Sequence, residues 1–233
     1  MAIRRTHSAL ALCLAALLGL VRTGTAEDQA GQPAKPVLLL TGFEPFGGAK
    51  VNASWETVKT FQSQELHGYR VETLLLPVVY DEMDKPLQEA LAKHKPALVI
   101  SFGVGTKVIQ VETIARNSYH PLKPLDNKAK PPPRNEIIPG GSVEIKTALP
   151  ADAIVAALKT APIGAKTSTD AGGYLCNECF YRLMSSKAGP SVRGFIHVPE
   201  LGWKDPAGGV FDLEKLKRAV EVIVETTVRA NNK

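Results

Sequence analysis

Three side chains that lie far apart in the sequence could together perform nucleophilic catalysis. The stretch GGYLCNECFY places Cys176 just after two glycines, near the start of a predicted helix. There, unpaired N–H groups and the helix dipole stabilise a thiolate and can bind an oxyanion. His197 lies in the run GFIHV of a predicted buried strand, where an imidazole needs partners such as a thiol and a carboxylate. Glu112, at the end of the alternating run KVIQVE, could supply that carboxylate.

Each of these residues also has an interpretation without chemistry. A cysteine at a helix start is often an inert, small apolar residue. A histidine in a strand is often a core residue whose hydrogen bonds are satisfied, and a single glutamate is uninformative. Residue types and spacing therefore indicate a Cys/His/Glu arrangement but leave the structural alternative open.

Cys13 lies in the predicted signal peptide, and the third cysteine of the chain, Cys179, adds a redox interpretation because it completes a C-x-x-C motif with Cys176. Helix positions i and i+3 share a face, with Cα atoms about 5 Å apart, a separation that a disulfide tolerates. We hypothesise that this pair oxidises outside the cytosol and switches the nucleophile off. A free, packed Cys179 is the alternative. A thiol–disulfide oxidoreductase is a weaker hypothesis, because the chain lacks the element order and active-site sequence of a thioredoxin-like protein.

Apolar runs at 37–41, 71–78 and 97–102 predict buried strands, and segments with helical periodicity follow the first two. This alternation is typical of a mainly parallel sheet covered by helices, with ligands at the carboxyl ends of the strands. Further strands are predicted at 165–168 and 194–198, and helices at 151–158, from about residue 174, and at the end of the chain. Residues 120–141, rich in Pro, Lys and Asn, predict a long surface loop.

The N-terminus has the pattern of a secretory signal. Arg4 and Arg5 precede an apolar run, and small residues precede a cut site after Ala26. The run would span roughly 20 Å as a helix, short of the ~30 Å needed to cross a bilayer. We therefore predict a signal peptide at 1–26, a flexible leader at 27–35, one domain at 36–233, and an exported protein, periplasmic or secreted.

Charge excludes some classes of partner. The chain has 28 Lys and Arg against 23 Asp and Glu. Without residues 1–26 the excess falls to two positive charges, because three arginines leave and no acid does. We expect no nucleic-acid partner and no stable membrane association after signal cleavage.

Taken together, ordered motifs resemble the pyroglutamyl peptidase I family, also called pyrrolidone-carboxylate peptidases. They cover nearly all of the chain from about residue 37, and they are LLLTGFEPFGG at 38–48, VNASW at 51–55, ETIARN at 112–117, PLDN at 124–127, AGGYLCN at 171–177 and GFIHVPEL at 194–201. The resemblance implies a single-domain, three-layer α/β/α sandwich with a mixed, mainly parallel sheet. It also implies a cysteine peptidase that removes N-terminal pyroglutamyl residues from peptides.

The resemblance assigns roles by motif position. Cys176 is the implied nucleophile, His197 the general base and acid, and Glu112 the residue that orients the imidazole. Phe43, Phe46 and Leu175 are the implied substrate-binding residues around the lactam ring. No cofactor is implied, and no cluster of residues has metal-ligand spacing.

Several features depart from the family pattern. The stretch between Gly103 and Glu112 is shorter than the usual turn, and Lys123 stands where an arginine is usual, which affects substrate anchoring more than catalysis. Family members are typically cytosolic, in contrast to the export signal. Relatives commonly form dimers or tetramers, so a homo-oligomer is expected by analogy. An exported, catalytically weak lactam-binding or peptide-binding homologue is the main alternative function.

Overall fold

The computed structural model describes residues 34–120 and 125–232. A mixed seven-stranded sheet has the strand order β2-β3-β1-β4-β9-β5-β8. Its strands are Val37–Phe43 (β1), Glu65–Leu66 (β2), Tyr69–Leu76 (β3), Leu98–Thr106 (β4), Ile109–Glu112 (β5), Ala165–Ser168 (β8) and Val192–Pro199 (β9). Two small antiparallel sheets pair Ile114–Arg116 (β6) with Glu144–Lys146 (β7), and Trp203–Lys204 (β10) with Val210–Phe211 (β11).

Five α-helices cover the sheet: Ala53–Val58 (α1), Asp84–His94 (α2), Ala151–Thr160 (α3), Leu175–Ser185 (α4) and Leu213–Asn231 (α5). A 3₁₀ turn, Lys59–Phe61, follows α1. In the described parts of the chain, no helix is both long enough and apolar enough to span a membrane.

The central strands have a hydrophobic core on each face. Leu38 and Leu40 of β1 pack with α1, α3 and α5, whereas Leu39 between them packs with α2 and α4. Successive side chains of a strand point to opposite faces, so a continuous apolar run is what a strand covered on both sides requires. The predicted three-layer α/β/α domain is confirmed.

The predicted strands and helices match those of the structure in type and order. The sequence analysis did not assign KVIQVE to a strand. In the structure it contributes β5, which runs antiparallel to β9 and parallel to β8. The chain therefore reverses direction within two residues of the end of β4. The two-residue and three-residue strands of the small sheets were also not predicted, because they are too short to show a period.

The described part of the predicted loop at 120–141 is tied to the domain. Asp126 is buried, and its carboxylate accepts hydrogen bonds from the backbone N–H groups of Tyr80, Lys128 and Lys130. Asn127 donates to the carbonyl of Pro45 at 2.9 Å. Lys123, the residue that departs from the family pattern, lies outside the described residues, as do the predicted signal peptide and nearly all of the leader.

Gly42 of β1 allows α1 to lie directly on the sheet. A Cβ atom at this position would lie 2.7 Å from both N and Cα of Trp55. Backbone atoms of a packed helix cannot move aside as a side chain can. We expect Gly42→Ala to lower the free energy of unfolding by about 3 kcal/mol, measured by urea denaturation.

Gly189→Ala is the matched control, since the three atoms nearest to its Cβ all belong to the side chain of Arg193, whose far end can shift. We expect this variant to lose about 1 kcal/mol, because the shift weakens the hydrogen bonds of Arg193 to the carbonyls of Met184 and Ser186. Equal losses in the two variants would contradict the assigned role of Gly42.

Candidate active site

Cys176 lies in the first turn of α4, at an open helix end. The N-cap residue, Tyr174, makes no side-chain hydrogen bond to this turn. The first N–H groups of a helix have no intrahelical acceptor, so those near Cys176 are available to an anion. The Cys176 side chain is partly exposed, as a nucleophile requires.

Asn177 holds this helix end against β6. Its buried side-chain amide donates to the carbonyls of Arg116 and Ser118 at 2.8 and 2.9 Å, and its oxygen accepts from the Arg116 N–H at 3.0 Å. All the hydrogen-bonding groups of this side chain point to one segment of backbone. Sequence reasoning did not identify Asn177 as a positioning residue, although it lies within a quoted motif.

His197 and Glu112 lie on neighbouring strands. His197 of β9 pairs with Gln110 of β5, and Glu112 follows two residues later on the same face of β5. The His197 Nδ1 lies 2.8 Å from the Glu112 Oε1, and both residues are buried. A carboxylate at Nδ1 favours the tautomer that carries a proton there, and Nε2 then remains for a second partner.

Cys176 is that second partner, because its thiol affects the pKa of His197 through charge and a hydrogen bond. Burial disfavours the charged imidazole, but the charge and hydrogen bond of Cys176, with those of Glu112, outweigh burial and raise the pKa of His197 to about 9. The protonated form of the His197 imidazole is therefore favoured at neutral pH. The three residues that the sequence analysis singled out are brought together.

Gly103 makes room for the thiol. It pairs with His197 across β4 and β9. A Cβ atom here would lie 2.7 Å from both the Cys176 Sγ and the Phe195 Cζ. Sequence reasoning treated Gly103 only as the end of a strand; its role depends on the close approach of α4.

A cavity of about 590 Å³ opens over the thiol and the imidazole. Phe46 and Tyr174 line one part of it, with ring centroids 6.2 Å apart, and Lys107, Gln110 and Lys166 line another.

Of the three predicted substrate-binding residues, only Phe46 lines this cavity. Phe43 is buried, with its ring centroid 6.4 Å from that of Phe195, and Leu175 is buried in the same core. Their contact with a lactam ring stays a prediction.

Cys179 is in a different environment from Cys176. Both thiols are free, and Cys179 is fully buried. Burial raises the pKa of the Cys179 thiol well above its usual range. A thiol kept neutral in this way is a poor nucleophile for thiol–disulfide exchange.

Comparison with known proteins identifies the family. The family model described as pyroglutamyl peptidase matches residues 36–230. The chain belongs to the pyroglutamyl peptidase family. It is therefore a hydrolase of a cysteine peptidase family, and the resemblance found in the sequence is confirmed.

Similar proteins cover most of the domain. A pyrrolidone-carboxylate peptidase of Gloeobacter violaceus is 36% identical over 81% of this chain and 95% of its own length. Another, from Thermococcus onnurineus, is 36% identical over 83% and 99%. Among solved structures, the pyroglutamyl peptidase I of Bacillus amyloliquefaciens has a TM-score of 0.74 at 32% identity, covering 83% of this chain and 95% of its own. A mutant pyrrolidone carboxyl peptidase of Pyrococcus furiosus has a TM-score of 0.76 at 30% identity, covering 84% and 99%.

The prediction that the protein is exported is wrong. The relatives are pyrrolidone-carboxylate peptidases, a typically cytosolic family, and nothing in the comparisons indicates export. The prediction rested on the charge and hydropathy of residues 1–26, which lie outside the segment that the family model matches. A basic, then apolar, N-terminus is a pattern of composition and does not by itself establish a destination.

The different environments of the two cysteines predict selective alkylation. In the native protein, iodoacetamide should modify Cys176 and leave Cys179 unmodified, because the buried Cys179 is inaccessible and its pKa is raised. Peptide mass mapping after native labelling measures this selectivity.

Two controls complete the alkylation experiment. In native Cys176→Ala protein, the peptides that carry positions 176 and 179 should take up no label, and in denatured wild-type protein both of these cysteines should be labelled. Recovery of a Cys176–Cys179 disulfide from non-reduced protein, or labelling of Cys179 in the native state, would contradict the assignment.

Proposed function

We propose that the protein hydrolyses the bond after an N-terminal pyroglutamyl residue, with Cys176 as nucleophile, His197 as general base and acid, and Glu112 as the residue that orients His197. One observation carries the proposal. The His197 imidazole is hydrogen-bonded through Nδ1 to the Glu112 carboxylate at 2.8 Å, and it also interacts with the Cys176 thiol. Cys176 lies at the start of a helix, and both Cys176 and His197 line the cavity. Membership of the pyroglutamyl peptidase family supports the same substrate.

In the first half of the reaction, His197 holds the proton given up by Cys176, and the thiolate sulfur attacks the α-carbonyl carbon of the pyroglutamyl residue, at the bond to be cleaved. The carbonyl electron pair moves onto oxygen. The N–H groups at the start of α4 are suitably placed to stabilise that oxyanion. When the C–N bond breaks, the imidazolium gives its proton to the leaving amine and the pyroglutamyl group remains on sulfur as a thioester.

In the second half, water replaces the departed peptide. Neutral His197 removes a proton from the water as its oxygen attacks the thioester carbon. Collapse of the tetrahedral intermediate breaks the C–S bond, releases pyroglutamate and returns the proton to the Cys176 and His197 pair. Glu112 holds the ring in one orientation in both halves.

The aromatic part of the cavity suits a substrate without a charged α-amino group. Phe46 and Tyr174 line it, and a pyroglutamyl lactam is neutral. An ordinary N-terminus would bring an ammonium group, whose desolvation without a partner costs several kcal/mol or lowers its pKa. Ordinary peptides should therefore bind poorly.

The C-x-x-C motif receives no support as a redox centre, because Cys179 is fully buried and its pKa is raised. A lactam-binding protein without activity would not require the Cys176, His197 and Glu112 arrangement. Homo-oligomer formation remains an expectation from analogy.

The first test is release of aminomethylcoumarin from pyroglutamyl-aminomethylcoumarin. Cys176→Ala should lower kcat by at least about 10⁴-fold, because the nucleophile is lost. Cys179→Ala, a matched loss of a thiol three residues away, should keep activity within about tenfold of wild type.

Prolyl-aminomethylcoumarin and glutaminyl-aminomethylcoumarin serve as substrate controls and should not be cleaved. A folded, reduced wild-type protein that binds the lactam but does not cleave it would favour the binding homologue instead.

The second test is the pH dependence of kcat/KM. The His197 pKa is about 9, so the protonated ring is present below that pH, and activity should fall as pH rises through it. Glu112 raises this pKa. Glu112→Gln should therefore move the alkaline limb to lower pH and lower kcat by about 10²-fold or more.

Glu136→Gln, a change of an exposed glutamate, is the matched control and should leave the alkaline limb in place. An unmoved limb in Glu112→Gln would exclude Glu112 as the residue that tunes His197.

A further inference from the structure

We propose that the part of the cavity lined by Lys107 and Lys166 binds a carboxylate of the leaving peptide. This inference rests on the proposed function and specifies its substrate class: pyroglutamyl peptides with a negative charge close after the cleaved bond. Neither lysine belongs to a motif on which the family resemblance depends.

A lateral row of side chains leads from the catalytic histidine to Lys166. His197 of β9 pairs with Gln110 of β5, and Gln110 pairs with Lys166 of β8. Residues directly opposite on neighbouring strands point to the same face of a sheet. All three line the same cavity as Cys176, so a row of adjacent side chains on three neighbouring strands forms part of the cavity wall.

This direction is the one left for the leaving peptide. Phe46, which with Tyr174 lines the aromatic part suited to the neutral lactam, follows β1 on one side of β9, whereas Lys166 lies on β8 on the other side. His197, which protonates the leaving amine in the proposed mechanism, lies at the start of the row. The amine and the residues after it should therefore extend over Gln110 toward Lys166.

The distances fit a carboxylate close to the cleaved bond. Neighbouring strands are about 4.8 Å apart, so the backbone of Lys166 lies roughly 10 Å from that of His197. An extended residue spans about 3.3 Å. A carboxylate one or two residues past the cleaved bond thus lies within reach of a lysine side chain on β8.

Both ammonium groups are available. Within residues 34–120 and 125–232, neither lysine has an ion-pair partner, and the Lys107 Nζ lies 5.7 Å from the Trp203 ring centroid. Among the described residues, Asp170 is the one acid that lines the cavity; it accepts a hydrogen bond from the Gly172 N–H at 2.9 Å and lies 3.9 Å from the Arg116 Nη1. Apart from His197, the described lining therefore carries two lysine cations and one acid that already has partners.

Two sources could supply the carboxylate. It is either the C-terminal carboxylate of a dipeptide or the side chain of Asp or Glu after the pyroglutamyl residue. Two substrate pairs distinguish them: pyroglutamyl-alanine against its amide, and the amide of pyroglutamyl-glutamate against that of pyroglutamyl-glutamine. Each pair differs by one carboxylate, and kcat/KM is measured at low salt, where surface charges act most strongly.

Wild-type protein should prefer the charged member of at least one pair by about three- to tenfold in kcat/KM. In the double variant Lys107→Met/Lys166→Met, that ratio should fall to about one. Lys93→Met, a matched change of an exposed lysine on α2 that does not line the cavity, should keep the wild-type ratio. The pair that shows the preference identifies the source of the carboxylate.

If the neutral amides are cleaved, two results would overturn the carboxylate subsite. One is a kcat/KM ratio of charged to neutral substrate near one for both pairs in wild-type protein, and the other is a ratio that does not change in the double variant. Loss of cleavage of all four substrates by folded, reduced wild-type protein would instead overturn the proposed function, and the subsite with it. The behaviour of the neutral amides thus separates the two failures.

Discussion

The contact between His197 and Glu112 is the constraint on which the site depends. Glu112 has no exposed surface, and among the described residues its Oε2 has no hydrogen-bond partner. A buried carboxylate costs several kcal/mol unless it is paired, so its stability relies on the imidazole 2.8 Å away. That distance requires β5 beside β9, and hence the reversal of the chain after β4. The pairing of Glu112 with His197 therefore depends on the antiparallel arrangement of β5 and β9.

The Cys176 thiol is positioned by α4, one of the helices that cover the sheet. Asn177 binds the start of this helix to β6, and farther along Glu178 accepts from the Arg182 Nε at 2.8 Å. Arg182 also donates to Asp84 of α2 at 3.1 Å. Burial raises the pKa of Glu178, and Arg182 opposes that rise. The contacts of Asn177 with β6 and of Arg182 with α2 thus restrain the position of α4, and this keeps the Cys176 thiol near the imidazole.

Much of the fold was predictable because the central strands are covered on both faces. The run VLLLT of β1 is apolar throughout since its successive side chains enter two different cores. The short strands and the antiparallel β5 carry no comparable signal, because pairing direction depends on partners far away in the sequence. The prediction of export was wrong because it rested on hydropathy, which reports how apolar a segment is, and several kinds of apolar segment share that property.

The sequence by itself determined that the sheet has a hydrophobic core on each face and that a helix starts near Cys176. Through its ordered motifs, it also determined the family. Only the tertiary structure decided that the Glu112 carboxylate lies within hydrogen-bond distance of His197, because the two residues are 85 positions apart in the sequence. It also decided that Gly103 must lack a side chain, that Cys179 is inaccessible, and that Lys166 shares a cavity with Cys176. These properties depend on distances between elements. Such distances follow from the packing of the whole domain, which no local stretch of residues encodes.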